Sequence, residues 1–509
     1  NCDIDGLGQA SAPSIDVTAA GTGAISIVGS TFSTSSRLNL NISAHVAVTF
    51  NHNTLNDDTT TPEVIALADS LPIFWSTGNS DGVKLFQGNH IFRGRAKFTS
   101  SSGWLIGGSL PGDGNIMFGV RTGIELESDT MMTVRGNYSR TDVGGDMWNQ
   151  VKNLAVDLGA GGNVIEHNVF IGLNWLVEMD GGGELRYNLF IDDIERGWVL
   201  VWADADAKVH HNIAVSTRDN QSQPLGGIVV EQGAAGSMPT TEIYNNTLDL
   251  GGTCTPSLEA GVMLKGDSML GSLRSNAIVD VREVGWTTPP GLVRAYDTQG
   301  GDHIMYADYN LFWTPDSPVK VNYAVTVPGK TERTSAGFAL NDVPKGGAVD
   351  AQVDPKFAGV TGVGKVPRTF PFDEKDLVTG KLTVCQILAY YREIYAPGAG
   401  SPLIDSGDPA DGAGNDVGAV GAGTPNDLDL FGKLCDPTDV GVPAADTTMF
   451  TCPNVALALP GGPSATPVVT PHGIVCVCDA GAGAPNPGGV AALAALVVVV
   501  AAARRRRRS

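Results

Sequence analysis

Charged and aromatic side chains close a series of short apolar runs in this chain, and their mixture suits the handling of sugars. Asp157, Glu178, Trp202, Glu231 and Lys265 stand at or just past the ends of such runs, with Arg294 or Tyr296 continuing the series. Two carboxylates can cleave a glycosidic bond as acid and as nucleophile or base. Alternatively, carboxylates can hold Ca²⁺, which neutralises a uronic acid and acidifies its α-proton for removal by a Lys or Arg of depressed pKa. Asp157, Glu178, Glu231 and Lys265 are therefore the candidate catalytic residues. Ca²⁺ is a candidate cofactor with no ligand set fixed. Trp202 is a candidate sugar-binding residue, with Trp175 and Trp198 as further stacking surfaces. Each also has a plainer role: exposed carboxylates keep an acidic protein soluble, and Trp fills cores.

A second series lies two residues before a recurring Asn: Asn51, Gln87, Arg135, Glu166, Arg186, His210, Tyr244, Arg274 and Asp308. Arg186 and His210 join the candidate substrate-binding residues. His210 and His211 are adjacent, and neighbours in a strand face opposite sides, so they assign no metal site. Gly159 to Gly162 and Gly181 to Gly183 open no helix and are read as turns, not phosphate loops.

The recurring Asn belongs to a repeat that must position these residues. An apolar residue, two others, Asn, one other and a second apolar residue return in Phe50 to Leu55, Phe86 to Ile91, Ile165 to Phe170, Leu185 to Phe190, Val209 to Ala214, Ile243 to Leu248, Leu273 to Ile278 and Ala307 to Phe312. A weaker copy surrounds Asn137 and ends in Ser139. Two or three short strands per coil, rich in Val, Ile, Leu and Phe and bounded by Gly, Asn and Asp, follow from this spacing. The Asn suits the left-handed turn between strands, and its amide can bond the equivalent Asn one coil above and below. These repeats resemble those of right-handed parallel β-helix proteins of the pectate-lyase-like architecture. The resemblance implies an all-β solenoid over 41–315 whose outward columns carry the function.

The remainder divides by composition. Residues 1–40 read as an N-terminal segment or cap, and 316–435 as C-terminal coils and a cap. Within the latter, 400–421 resembles the closing segment of secreted bacterial β-helix proteins, and Leu382 to Tyr395 reads as a helix covering the open C-terminal end of the solenoid. A flexible Pro/Gly/Ala-rich linker spans 436–487. Residues 488–509 form a hydrophobic C-terminal helix ending in Arg504 to Arg508. The apolar stretch Val490 to Ala503, at about 1.5 Å per residue, falls short of a hydrocarbon core of about 30 Å. With Cys476 and Cys478 before it, the tail resembles a myxobacterial sorting tail of the MYXO-CTERM type. That resemblance implies export, a sorting protease acting near Cys476 or Cys478, transient membrane association through 488–509, and a cell-surface destination.

Composition bounds the rest. Gly at 65 and Pro at 29 of 509 residues mark a turn-rich chain, while 42% hydrophobic residues exclude global disorder. A net charge of −21 argues against broad nucleic-acid binding. Of seven cysteines, Cys385, Cys435 and Cys452 are candidate disulfide partners in an oxidising compartment. Two readings follow: an exported, monomeric surface enzyme that binds and cleaves an extended polysaccharide as lyase or glycosidase, or a non-catalytic adhesin or spacer.

Overall fold

The computed structural model describes residues 3–4, 15–33, 38–56, 72–119, 122–141, 152–157, 161–172, 175–192, 199–203, 206–216, 226–231, 240–250, 261–265, 269–279, 291–296, 306–313, 321–326, 333–335, 351–359, 370–412 and 414–421. The linker, Cys476, Cys478 and the C-terminal segment lie outside them, as does Trp198. Among the described residues no helix is long and apolar enough to cross a membrane.

Short strands follow one another through three sheets in strict rotation, so that each sheet receives every third strand. Sheet 1 has 12 strands, sheet 2 has 13 and sheet 3 has 11. All described strand pairings are parallel except the last, Val321–Thr326 with Arg333–Ser335, and an isolated bridge between Phe357 and Pro397 is also antiparallel. Parallel returns of this kind wind right-handed, and the chain is a right-handed parallel β-helix. The rungs begin before Asn41: Ile15–Ala19 already pairs with Leu38–Ile42, and Thr22–Val28 with His45–Asn51.

Alternation fills the axis. In sheet 3 the inward row runs Phe50, Phe86, Ile106, Val134, Ile165, Leu185, Val209, Ile243, Leu273 and Ala307, every one buried. Rings stack from rung to rung, as Phe50 on Phe86 with centroids 5.3 Å apart and Phe170 on Phe190 at 5.8 Å.

The recurring asparagines stand above one another, buried, between sheets 3 and 1. Asn188 donates its backbone N–H and its amide to Oδ1 of Asn212, each at 3.0 Å, and its own Oδ1 accepts the same two bonds from Asn168. Its amide also reaches the Ile165 and Arg186 carbonyls. The pattern runs from Asn53 to Asn310. Asn115 is a rung that sequence inspection passes over, bonded between Asn89 and Asn137. Its repeat is split by residues 108–114, so no apolar residue stands three before it. In the weak copy, Ser139 is buried in the row between Met117 and Phe170 and donates to Asn153 Oδ1.

The left-handed residue is the one before the ladder Asn, a correction to the expectation. His52, His167, Tyr187, His211, Asn245, Ser275 and Tyr309 have φ between 50° and 58°. Reversing the chain one residue earlier leaves the Asn side chain pointing under the turn, where its partners are.

Sheet 1 is apolar on both faces. Phe170, Phe190 and Ala214 face the axis, while Val169, Ile171, Leu189, Ile191, Ile213 and Val215 face outward and are also buried. Continuous rather than alternating apolar runs are what a sheet covered on both sides requires. The cover is the 12-residue helix Val384–Tyr395, started by a capping box between Thr383 and Gln386, whose Ile387, Tyr391 and Ile394 pack on that face. The helix therefore lies along the flank of the solenoid and not across its open end. Polar pins fix the docked segment: Glu374 to Tyr138 and Arg140, and Tyr395 to Asp249 at 2.8 Å. Further along, the backbone of Asp408 bonds Ser275 Oγ and that of Ala419 bonds Thr247 Oγ1.

Asn188→Ala removes partners from several buried groups at once, each worth about 1–3 kcal/mol when left unsatisfied. Urea unfolding of the variant should show a loss of at least about 3 kcal/mol. A midpoint equal to that of the parent chain would mean the ladder does not hold the coils.

Candidate functional site

The outward face of sheet 2 gathers the densest mixture of carboxylates, cations and tryptophans among the described residues. Strict alternation in the strand Thr122–Glu127 sends Ile124 and Leu126 to the core and Glu125 and Glu127 outward. Lys97, one rung earlier and opposite Glu125, reaches both Glu125 and Glu127 at 2.7 Å. Arg95 holds the other oxygen of Glu125 at 2.5 Å. In the next rungs Lys152 pairs with Glu178 and lies 5.0 Å from the Trp175 ring centroid. Trp175 stacks on Trp202 with centroids 4.6 Å apart and planes 25° from parallel.

Asp157 sits among these groups. Leu126 faces Val156 in register, so Glu127 and Asp157 stand one rung apart on the same outward row. Burial, then the charges of Glu125 and Asp180, push the Asp157 carboxyl up to about 6, against the opposing pull of Lys152 and Lys97. The hydrogen bond from Lys97 leads the causes that hold Glu127 below the usual carboxylate range. Neighbouring carboxyls driven in opposite directions are the arrangement from which acid and base roles arise. Between Glu125 and Glu178 the adjacent outward row carries Ala155, itself only 3% exposed beneath its neighbours.

The single column expected from the sequence divides in two. Glu178 and Trp202 share the row of Ala155, which continues through Val229, Met263 and Arg294. Asp157 lies in the row two residues further along, the row that later holds Glu231, Lys265 and Tyr296. Asp157 lies just past its strand, whereas Glu178 and Trp202 lie one residue before the ends of theirs. Glu178 and Trp202 are 5% and 6% exposed, Trp202 packing on Val229 and Met263. Glu231 is half-buried three rungs from Asp157, and the side chain of Lys265 lies outside the described residues. Asp157, Glu178 and Trp202 thus come together, while Glu231 and Lys265 stand further up the solenoid.

Arg186 and His210 belong to sheet 3, a different face. Their row is the one expected, with Gly107 inserted between Gln87 and Arg135. Glu166, fully buried, is held between Arg135 and Arg186. Glu184 accepts from Arg186 and meets His210 Nε2 at 2.8 Å. His210 stacks on Tyr244 at 4.5 Å and Arg274 covers the other side of that ring at 4.4 Å. Asp411 of the docked segment clasps Arg274 at 2.8 Å. The left-handed turn at His211 brings the Nδ1 atoms of His210 and His211 to 2.8 Å, so the two rings meet where strand alternation alone would part them. Burial, then His210, Arg392 and Arg186, lower the His211 pKa to about 3. Among the described residues no three His, Cys, Asp or Glu side chains are grouped to hold a metal ion.

Sequence reasoning missed Glu125, Glu127, Lys97 and Lys152. The alternation Ile-Glu-Leu-Glu is a legible signal, but it precedes the weak repeat at Asn137 and lies before Asp157, the first member of the series read from the sequence.

No family model matches the chain, and no curated protein matches it. Solved structures of similar winding are tailspike protein mutants of E. coli bacteriophage HK620. One, in complex with pentasaccharide, is 12% identical over 63% of this chain and 62% of that chain, less than two thirds of its length, with a TM-score of 0.23. A second pentasaccharide complex is 12% identical over 63% and 78%, with a TM-score of 0.25, and a double mutant is 13% identical over 60% and 72%, at 0.26. At that level the likeness says nothing of residues or ligand.

The raised Asp157 pKa has a stability signature. The native state binds this proton more tightly than the unfolded chain, whose value is near 3.8. The stabilisation is therefore complete below that value and is lost as pH climbs through about 6. Asp129, pushed up to about 7 by burial, acts in the same direction. Between pH 4 and 7, Asp157→Asn should flatten the fall in urea midpoint relative to the parent, and parallel curves would contradict the assignment.

Proposed function

We propose that the protein binds an extended polysaccharide along sheet 2 and cleaves it by acid-assisted glycoside hydrolysis. The observation that carries this reading is the pair Asp157 and Glu127, one rung apart with their pKa values driven apart, beside the Trp175 and Trp202 stack. From Trp75 to Trp202 the row makes five register steps, about 24 Å at the spacing of paired strands, room for an oligosaccharide segment rather than one sugar. Asp157, protonated below about 6, donates to the leaving glycosidic oxygen. Glu127, kept ionised by Lys97, serves as base or nucleophile on the other side of the scissile bond. Glu178, fixed by Lys152, and Trp175 orient the chain.

A non-catalytic glycan binder is the second reading, and the near-complete burial of Glu178 and Trp202 favours it. Export to the cell surface, sorting through Cys476 and Cys478, and passing membrane association through 488–509 belong to either version. The disulfide at Cys385 supports an oxidising destination.

Asp157→Asn should reduce release of new reducing ends at least 100-fold while leaving glycan affinity within a few fold, in keeping with the usual worth of a general acid. Trp175→Ala should weaken affinity instead. Unchanged turnover in the Asp157 variant would remove the hydrolytic mechanism, and unchanged affinity in the Trp175 variant would remove sheet 2 as the binding face.

A further inference from the structure

We infer that the glycan accepted by sheet 2 is uncharged, built of neutral or N-acylated sugars, and that a polyuronate is rejected. The inference rests on sheet 2 being the sugar-binding face. Among the described residues around Asp157 five carboxylates meet, Glu125, Glu127, Asp157, Glu178 and Asp180, against three cations, Arg95, Lys97 and Lys152. The cations are already engaged. Lys97 bridges two carboxylates, Arg95 grips one of the same two, and Lys152 serves Glu178 while lying over the Trp175 ring. Recognition of a sugar carboxylate calls for a guanidinium or ammonium that can turn its donors to the ligand. Here that would require breaking an ion pair and leaving a carboxylate, buried in the case of Glu125 and Glu178, without its counter-charge. The carboxylates of Glu125, Glu127 and Glu178 would also repel each uronate laid along this face. Hydroxyl and acetamido groups meet no such barrier: they donate to the remaining carboxylate lone pairs.

Matched polymers isolate the charge. Binding of the full chain to polygalacturonate and to alginate would be measured against their carboxyl-reduced forms and against chito-oligosaccharides, with and without Ca²⁺, at two salt concentrations. The reduced polymers should bind at least tenfold more tightly than their parents at low salt. The gap should narrow as salt screens the repulsion. Glu125→Gln should narrow it too, by removing one negative charge and releasing the grip on Arg95. Equal or tighter binding of a polyuronate, with or without Ca²⁺, overturns the inference while leaving the sugar-binding face intact. Binding to none of these glycans, together with no effect of Trp175→Ala in a broader glycan array, sinks the face itself and the inference with it.

Discussion

A buried amide cannot be left unpaired, and in this fold that constraint does the organising. Each ladder Asn gives its amide to the next Asn and to backbone carbonyls, and takes two bonds from the one before. The stack therefore fixes the register at which each turn sits on the last. Hydrophobic rows alone would not do so, because Phe, Ile, Val and Leu can slide along one another. With the register pinned at one corner, outward side chains on sheets 2 and 3 line up as rows. Charges thirty residues apart in sequence then become neighbours, as Arg95 and Glu125 do.

The same geometry separates two kinds of polar surface. On sheet 3 the row from Arg135 to Arg274 is closed on itself: each charge is answered by the next rung or by Asp411. On sheet 2 the row breaks at Ala155, and Asp157 is left desolvated, with the Glu125 carboxylate as its leading charged neighbour. Self-satisfied ladders stabilise, whereas an interrupted one leaves a carboxyl displaced from its ordinary titration, and that difference singles out sheet 2.

How much of this was legible in the sequence depends on what was local. The coil, its strands and most of the ladder followed from the Asn spacing, since turn chemistry and alternation are written within six residues. Asn115 escaped because an insertion separated it from its apolar partner. The row on sheet 3 was read correctly because it is counted back from the Asn, a fixed mark. The row on sheet 2 was misread because nothing in the sequence marks where those strands begin, and a slip of two residues moved Glu231 and Lys265 beside Glu178. The seat of the helix was missed for a related reason: Val169, Ile171, Leu189 and Ile191 announce a sheet apolar on both faces, but which later segment answers them is a long-range fact.

That segment also sets a timetable for the growing chain. A solenoid can add turns one at a time behind the ribosome, each resting on its predecessor. Yet Tyr138 and Arg140 wait for Glu374, more than 230 positions downstream, which at about 5–20 residues per second is on the order of ten to fifty seconds of synthesis. Throughout that interval the nascent rod carries an uncovered greasy flank. A stop codon or a proteolytic nick before residue 384 would yield rods with sound coils and one adhesive side, fit to associate flank to flank.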